Sequence, residues 1–180
     1  MSGDHIGQNY LLNIQMCCTG FMHHKEQKRL IMGKTVGSYT TRHNLQKWIK
    51  LLMTPQRKLD GLPICPYLQK FRSQIMLVRN EDPEKIAKNF ADQKNIFHLE
   101  GMVVYGFAMK YEKLDKLVDK LNKNLKAKDV CCFMFHPDGN EDVLPVEYPF
   151  NLPLLIVQKI STLTAAKKQL SKTNYCKHYK

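Results

Sequence analysis

A single cysteine lies between two prolines in the segment "LPICPY", and a histidine followed by proline and aspartate occurs later in "FMFHPD". Pro63 and Pro66 fix the backbone on both sides of Cys65 and remove two amide donors, so a stiff turn should aim the thiol in a defined direction. A cysteine beside a histidine is the minimum arrangement for an activated thiolate nucleophile. Cys65 and His136 are therefore a candidate catalytic pair.

The turn around the cysteine also predicts how its thiol would be activated. If Pro66 starts a short helix, Cys65 lies near the positive N-terminus of that helix, where the helix dipole favours a thiolate and lowers the thiol pKa. Lys70 and Arg72 follow in the sequence and would add to this effect. The sequence thus predicts that the pKa of Cys65 is depressed.

His136 ends a predicted strand, and ligands in open α/β sheets bind beyond the carboxyl ends of the strands. Pro137 forces the chain out of the strand, and Asp138 or Glu147 would orient the imidazole as the third member of the site. The expected substrate is a small molecule of unknown class, and the cofactor is likewise unknown. A variant of this hypothesis places a metal ion between Cys65, His136 and Asp138, with no other metal site indicated.

Both motifs also have a purely structural interpretation. Cysteine is among the residue types most often buried as a small hydrophobic side chain. The His-Pro-Asp sequence after a strand is equally suited to a turn, in which the aspartate bonds its own backbone. The spacing of the residues leaves both interpretations open.

The elements that must position these residues alternate along the chain. A helix over "TRHNLQKWIKLLMT", capped by Thr41, precedes three strands at "SQIMLVRN", "GMVVYGFAM" and "VCCFMFH". Helices over "EDPEKIAKNFADQ" and "KYEKLDKLVDKLNKNLKAK" separate the strands, and a last helix is predicted over "PLLIVQKISTLTAAKKQL". The pattern predicts a small α/β sandwich of about three mostly parallel strands, in β-α-β-α-β order, with helices at both ends.

The chain is predicted to hold one such domain over residues 39–170, after an irregular N-terminal extension over 1–38 and before a basic tail over 171–180. Its six cysteines form no C-x-x-C pair, and the first residues do not have the pattern of a secretory signal. No apolar run approaches the roughly 20 residues of a membrane span. We therefore expect a cytoplasmic protein with reduced thiols and no membrane partner.

The net charge of +12 is concentrated at the two ends of the chain. Residues 148–180 contain six lysines and no acidic residue, whereas acids and bases nearly balance over 60–147. The second hypothesis is therefore a basic interaction protein that binds nucleic acid or an acidic partner through its cationic ends. Nucleic acid is the less favoured partner, because only five of the 28 cations are arginine and no strand carries an interleaved aromatic pattern.

The segments "LPICPYLQKF", "FHPD" and "YPFNLPLLIVQK" resemble, in that order, a family of uncharacterised bacterial proteins classified as a domain of unknown function. Its members carry a tryptophan-bearing helix, a Leu-Cys-Pro-Phe turn, a Phe-His-Pro motif and a Ser-Pro-x-Pro segment that opens a helix with histidine and arginine. The resemblance runs from about Trp48 to Leu170. It implies that the site positions are Cys65, Pro66, His136, Pro137, Asp138 and Pro153. Ile156 and Lys159 replace the helix histidine and arginine, which would weaken an anion clamp there.

Overall fold

The computed structural model describes residues 39–92, 98–139, 148–173 and 175, apart from the side chains of Lys58, Gln69 and Lys70. The predicted extension over 1–38 lies outside these ranges. Within them the chain forms five α-helices and four β-strands, none of the helices being long and apolar enough to cross a lipid bilayer. The elements are α1 (Arg42–Leu52), α2 (Pro66–Phe71), β1 (Ile75–Arg79), α3 (Pro83–Asp92), β2 (Gly101–Tyr105), α4 (Tyr111–Leu125), β3 (Val130–Phe135), β4 (Leu154–Lys159) and α5 (Ile160–Leu170).

The first helix forms where the spacing of apolar residues predicted it. Leu45, Trp48 and Leu52 fall on one face and are buried, as expected of a helix with an apolar stripe. The hydroxyl of Thr41 accepts a hydrogen bond from the backbone N–H of Asn44 at 3.1 Å, which satisfies one of the free amides at the helix start. The predicted N-cap is therefore confirmed.

The sheet has the order β1-β2-β4-β3 and is mixed. β1 pairs with β2 in parallel, while β4 lies between β2 and β3 and is antiparallel to both. The mixed α/β class is as expected. The prediction of three mostly parallel strands is wrong, because a fourth strand separates the second from the third and only one of the three pairings is parallel.

The fourth strand occupies the start of the segment that was predicted to be one long helix. Leu155 and Val157 pack on one face of the sheet, whereas Leu154 and Ile156 pack on the other. A strand buried on both faces reads as a continuous apolar run, and such a run cannot be told from a buried helix by its period. Only the second half of the segment is helical, as α5.

The start of α5 is held by a residue from another part of the chain. Asp129 follows α4 and lies at φ 62°, in the left-handed region. Its Oδ1 accepts the backbone N–H of Ser161 at 2.8 Å, and its carbonyl oxygen accepts the N–H of Ile160 at 2.9 Å. A carboxylate that bonds the amides of a first helical turn stabilises that helix through both the bonds and the dipole. Asp129 therefore acts as a tertiary cap of α5.

Helices cover both faces of the sheet. α3 and α4 pack on one face, with a buried cluster that includes Phe90, Val104 and Cys132. α1, α2 and α5 pack on the other face, with clusters that include Trp48 and Cys131. The adjacent cysteines thus point to opposite faces, as strand alternation requires.

A residue of the predicted basic tail also belongs to the α1, α2 and α5 side of the protein. Tyr175 is almost fully buried, and its hydroxyl donates a hydrogen bond to the carbonyl oxygen of Ile64. Ile64 lies in the proline-flanked turn directly before Cys65. The last part of the described chain therefore packs against this turn.

Candidate functional site

The histidine motif lies at the edge of the sheet where β2 and β3 end and β4 begins. His136 directly follows β3, as predicted. A cleft of about 380 Å³ opens at this edge between the segment after β2, the residues after β3 and those before β4. The cleft is lined by Ala108, Met109, Lys110, His136, Pro137, Asp138, Asn151, Leu152 and Pro153.

Both ring nitrogens of His136 already have hydrogen-bonding partners. Nε2 lies 2.8 Å from the carbonyl oxygen of Met109, and Nδ1 accepts the backbone N–H of Asp138 at 3.0 Å. This pattern corresponds to the tautomer with its proton on Nε2. The imidazole is 4% exposed and meets the edge of the Tyr111 ring. His136 would have to give up one of these bonds before it could accept a proton from a substrate.

The predicted orienting role of Asp138 falls to its backbone rather than its carboxylate. The amide bond to Nδ1 is 3.0 Å, whereas the nearest carboxylate oxygen is 3.8 Å from the same nitrogen and the side chain is exposed. A distance of 3.8 Å is too long for a hydrogen bond. The His-Pro-Asp sequence therefore forms a closed turn, and the turn fixes the plane of the imidazole.

Cys65 has the local structure that was predicted but not the predicted acidity. Pro66 starts α2, so Cys65 is its N-cap residue. Burial of the thiol raises its pKa to about 11, and hydrogen bonds from the backbone of Leu68 and Tyr67 offset only part of this shift. The expectation of a depressed pKa is wrong, because the loss of hydration outweighs the favourable end of a helix of only six residues.

The thiol and the imidazole have separate surroundings. Cys65 packs against the clusters beneath α1, α2 and α5. Met109 and Tyr111, which contact His136, pack instead against the cluster beneath α3 and α4. The two side chains thus have their neighbours on opposite faces of the sheet.

The other members of the predicted site do not join the two side chains. Among the described residues, no three His, Cys, Asp or Glu side chains lie close enough to hold a metal ion. Glu147 and the side chain of Lys70 lie outside the described residues. Arg72 is exposed and lines a groove beside β1.

The charges of the helices differ sharply between the two faces. α1, α2 and α5 contain three, one and two Lys or Arg residues respectively, and no Asp or Glu. We call the outer surface of these three helices the cationic face. The sequence indicated that both ends of the chain are basic, but only the fold shows that α1 and α5, one from each of these basic regions, lie on the same side of the sheet.

The opposite helices carry the same number of cations and are nearly neutral. α3 and α4 contain six lysines and five acidic residues. Glu84 on α3 pairs with Lys88 at 2.7 Å and with Lys120 on α4 at 2.9 Å. Hydrogen bonds from these two lysines hold the pKa of Glu84 below its usual range. Local ion pairs therefore neutralise much of this face.

The chain matches no protein-family model, no curated protein and no solved structure. The resemblance of the Cys-Pro and His-Pro motifs to a family of uncharacterised proteins stays a prediction. Any function proposed for the chain depends on the geometry, burial and charge of its own residues.

Proposed function

We propose that this protein is a binding protein that holds an acidic polypeptide partner on its cationic face. The observation that carries the proposal is the composition of the three helices there, which contain no acidic residue, while α1 and α5 contain five Lys or Arg residues. Cations that share one surface add their potentials, attract an oppositely charged partner and accelerate its association. The nearly neutral α3 and α4 provide an internal reference on the same molecule.

Thiol chemistry receives less support from the candidate site. The thiolate, not the thiol, is the nucleophilic form of cysteine. With its pKa raised to about 11, Cys65 is protonated at neutral pH. The neighbours of His136 lie on the opposite face of the sheet from those of Cys65, so the packing gives no support to a thiol–imidazole pair.

An acidic polypeptide fits this face better than a nucleic acid. Proteins that bind single strands usually stack bases on several exposed aromatic rings. Among the described residues, the large exposed hydrophobic side chains are Tyr39, Leu51 and Met76, and only Tyr39 is aromatic. Lysine, which supplies most of the cations of this face, attracts carboxylates as a point charge without the planar fork that reads bases.

The test compares charge reversal on the two faces of the full-length protein. Fluorescence anisotropy measures the affinity for labelled poly-glutamate, first with Lys47→Glu and Lys168→Glu together and then with Lys113→Glu and Lys123→Glu together. All four lysines are in described helices, and the second pair is the matched control on α4. We expect the first pair to lower the affinity at least about tenfold and the second less than about threefold.

Three results would contradict the proposal. Equal losses from the two pairs of variants would show that net charge alone decides binding. If poly-glutamate does not bind even at about 50 mM salt, where exposed charges are weakly screened, an acidic polypeptide is excluded as the partner. Tighter binding of single-stranded RNA with the same number of charges would make nucleic acid the partner instead.

A further inference from the structure

The strand β1 forms an open edge of the sheet. Among the described residues, it pairs with β2 alone and on one side. The backbone N–H of Asn80 donates to the carbonyl oxygen of Tyr105 at 3.0 Å. Because successive residues of a strand direct their N–H and C=O groups to opposite sides, those of Ile75, Leu77 and Arg79 point away from β2. β1 therefore presents a row of peptide groups that a further strand could pair with.

The opposite edge of the sheet is blocked at Cys132 by a side chain. Asn122 on α4 donates from Nδ2 to the carbonyl oxygen of Cys132 at 3.1 Å, and its Oδ1 accepts the N–H of Cys132 at 2.7 Å. Cys132 lies in β3, which is the other outer strand. The amide of Asn122 thus occupies the peptide groups of Cys132, in the middle of the strand, which would otherwise pair with an added strand. The described residues include no such device on β1.

A groove of about 320 Å³ runs beside the open edge. Ile49 of α1 and Met53, the residue after that helix, form one wall, and residues of β1 form the other. Ile75 and Leu77 of β1 line the groove and are half-buried, while Met76, which strand alternation places on the opposite face, is 39% exposed. The groove can therefore receive apolar side chains of a strand that pairs with β1.

Arginines are concentrated at this edge. Arg42 and Arg72 line the groove, and Arg79 is exposed at the end of β1, so three of the five arginines of the chain lie here. The described lining of the groove contains no Asp or Glu. The guanidinium group binds carboxylates with two parallel hydrogen bonds. The edge therefore combines peptide groups, apolar contacts and anion-binding side chains.

We propose that β1 accepts an extended acidic segment of the partner protein by strand addition. The peptide groups of the segment pair with those of Ile75, Leu77 and Arg79, and its alternate side chains reach the groove and the arginines. β1 is five residues long, so the paired segment is of similar length. This inference rests on the proposed function, because it names the element of the partner that the cationic protein recognises.

Two other occupants fit the charge of the groove less well. A second copy of the chain paired through its own β1 would bring Arg79 and Arg72 of both copies to one seam. The segment over residues 1–38 carries four Lys or Arg residues against Asp4 and Glu26 and is therefore itself cationic. An acidic segment of another protein is complementary to the arginines where these two are not.

The test uses the full-length protein and a labelled peptide of alternating valine and glutamate, measured by fluorescence anisotropy. A second peptide carries N-methyl groups on two consecutive central residues, which block both of its edges, and a third replaces glutamate with lysine. We expect the N-methylated peptide to bind at least about tenfold more weakly and the lysine peptide not to bind. These comparisons change only the ligand, so they do not depend on a variant that folds.

Variants of the protein then locate the peptide. Arg42→Gln together with Arg72→Gln should weaken binding at least about tenfold. Arg57→Gln is the matched control, because Arg57 is exposed and outside the groove, and it should change binding less than about threefold. The fluorescence of Trp48, the single tryptophan, verifies that each variant is folded.

The outcomes separate this inference from the proposed function. Strand addition is wrong if the N-methylated peptide binds as tightly as its parent, or if the Arg42→Gln and Arg72→Gln substitutions do not weaken peptide binding. The proposal of an acidic partner is still supported in that case, provided that charge reversal on α1 and α5 weakens poly-glutamate binding. If poly-glutamate does not bind either, both proposals fail. A dimer in light scattering that the valine–glutamate peptide cannot dissociate would assign the edge to a second copy and overturn the inference.

Discussion

The reactivity of Cys65 toward an alkylating reagent separates a binding protein from a thiol enzyme. The perturbation is a rise in pH, with the full-length protein treated with iodoacetamide at each step. In the folded chain the pKa of this thiol is raised from an ordinary 9.0 to about 11, because the thiol is buried. Only the thiolate reacts, so its population sets the rate.

The size of the effect follows from the displacement of the pKa. Because the pKa is higher by about two, the thiolate population at about pH 8 is about 100-fold lower than that of an ordinary thiol, since each pH unit is a factor of ten. Cys132, whose pKa burial raises to about 12, should be about tenfold less ionised again. The raised thiol pKa also favours the folded state below the unfolded pKa, and this contribution is lost as the pH rises from about 9 through about 11.

The assay follows each cysteine separately. The protein is quenched at intervals and digested, and mass spectrometry gives the modified fraction of each cysteine peptide. The same chain unfolded in urea provides the reference rate. We expect the rate at Cys65 in the folded protein to be at least about 100-fold below the reference at about pH 8 and to keep rising above about pH 10. A plateau below about pH 8, with Cys65 faster than the unfolded chain, would refute this reasoning and restore the thiol hypothesis.

Two further predictions concern side chains that connect separate elements, and both are measured by urea unfolding followed through Trp48 fluorescence. Asp129→Ala should lower the free energy of unfolding by about 1–2 kcal/mol because it removes the tertiary cap of α5. Asp129→Asn keeps a hydrogen-bond acceptor and should lower this free energy by less than about half as much. Equal losses from the two variants would exclude the cap. Asn122→Ala should lower the free energy of unfolding by about 1–3 kcal/mol because it leaves the peptide groups of Cys132 unpaired. Asn124→Ala is an exposed control on the same helix and should change that free energy by no more than about 0.5 kcal/mol. Similar losses from the two variants would contradict the role of Asn122 at this edge.

Elements with a strong local pattern could be predicted from the sequence. The apolar stripe of α4, including Leu114, Val118 and Leu121, is buried as its spacing requires. The Pro66 start of α2 and the exit of the chain from β3 at His136 are local features as well. In each case the residues that determine the structure lie within a few positions of one another.

The fourth strand could not be distinguished from a helix because its character depends on its neighbours. Its apolar run is buried on both faces, so it lacks the alternation of a half-exposed strand. Its insertion between β2 and β3 involves pairings with residues far away in the chain, such as Val104 with Leu155 and Cys132 with Val157. Those pairings changed a predicted parallel sheet into a mixed one.

The candidate site was likewise predictable only in part. The sequence placed His136 at the end of a strand and Cys65 before a helix, and both positions are correct. It could not place the two residues relative to each other, because alternation along β3 and the path of α2 put their neighbours on opposite faces of the sheet. The pKa of Cys65 also depends on distant residues, since the desolvation that raises it comes from packing.

Local sequence patterns were sufficient to predict most of the helices and three of the strands, the types of residue available for chemistry and the basic character of both ends of the chain. The pairing and packing of distant segments decided which of these residues are neighbours, that the helices of one face carry no acidic residue while ion pairs neutralise the other, and that, among the described residues, β1 pairs on one side only while Asn122 blocks the other edge at Cys132. The two kinds of feature differ in the distance along the chain over which their interactions act. Helix spacing and capping act over a few residues, whereas sheet order, burial and the sum of charges on a surface depend on contacts between residues that are far apart in the chain.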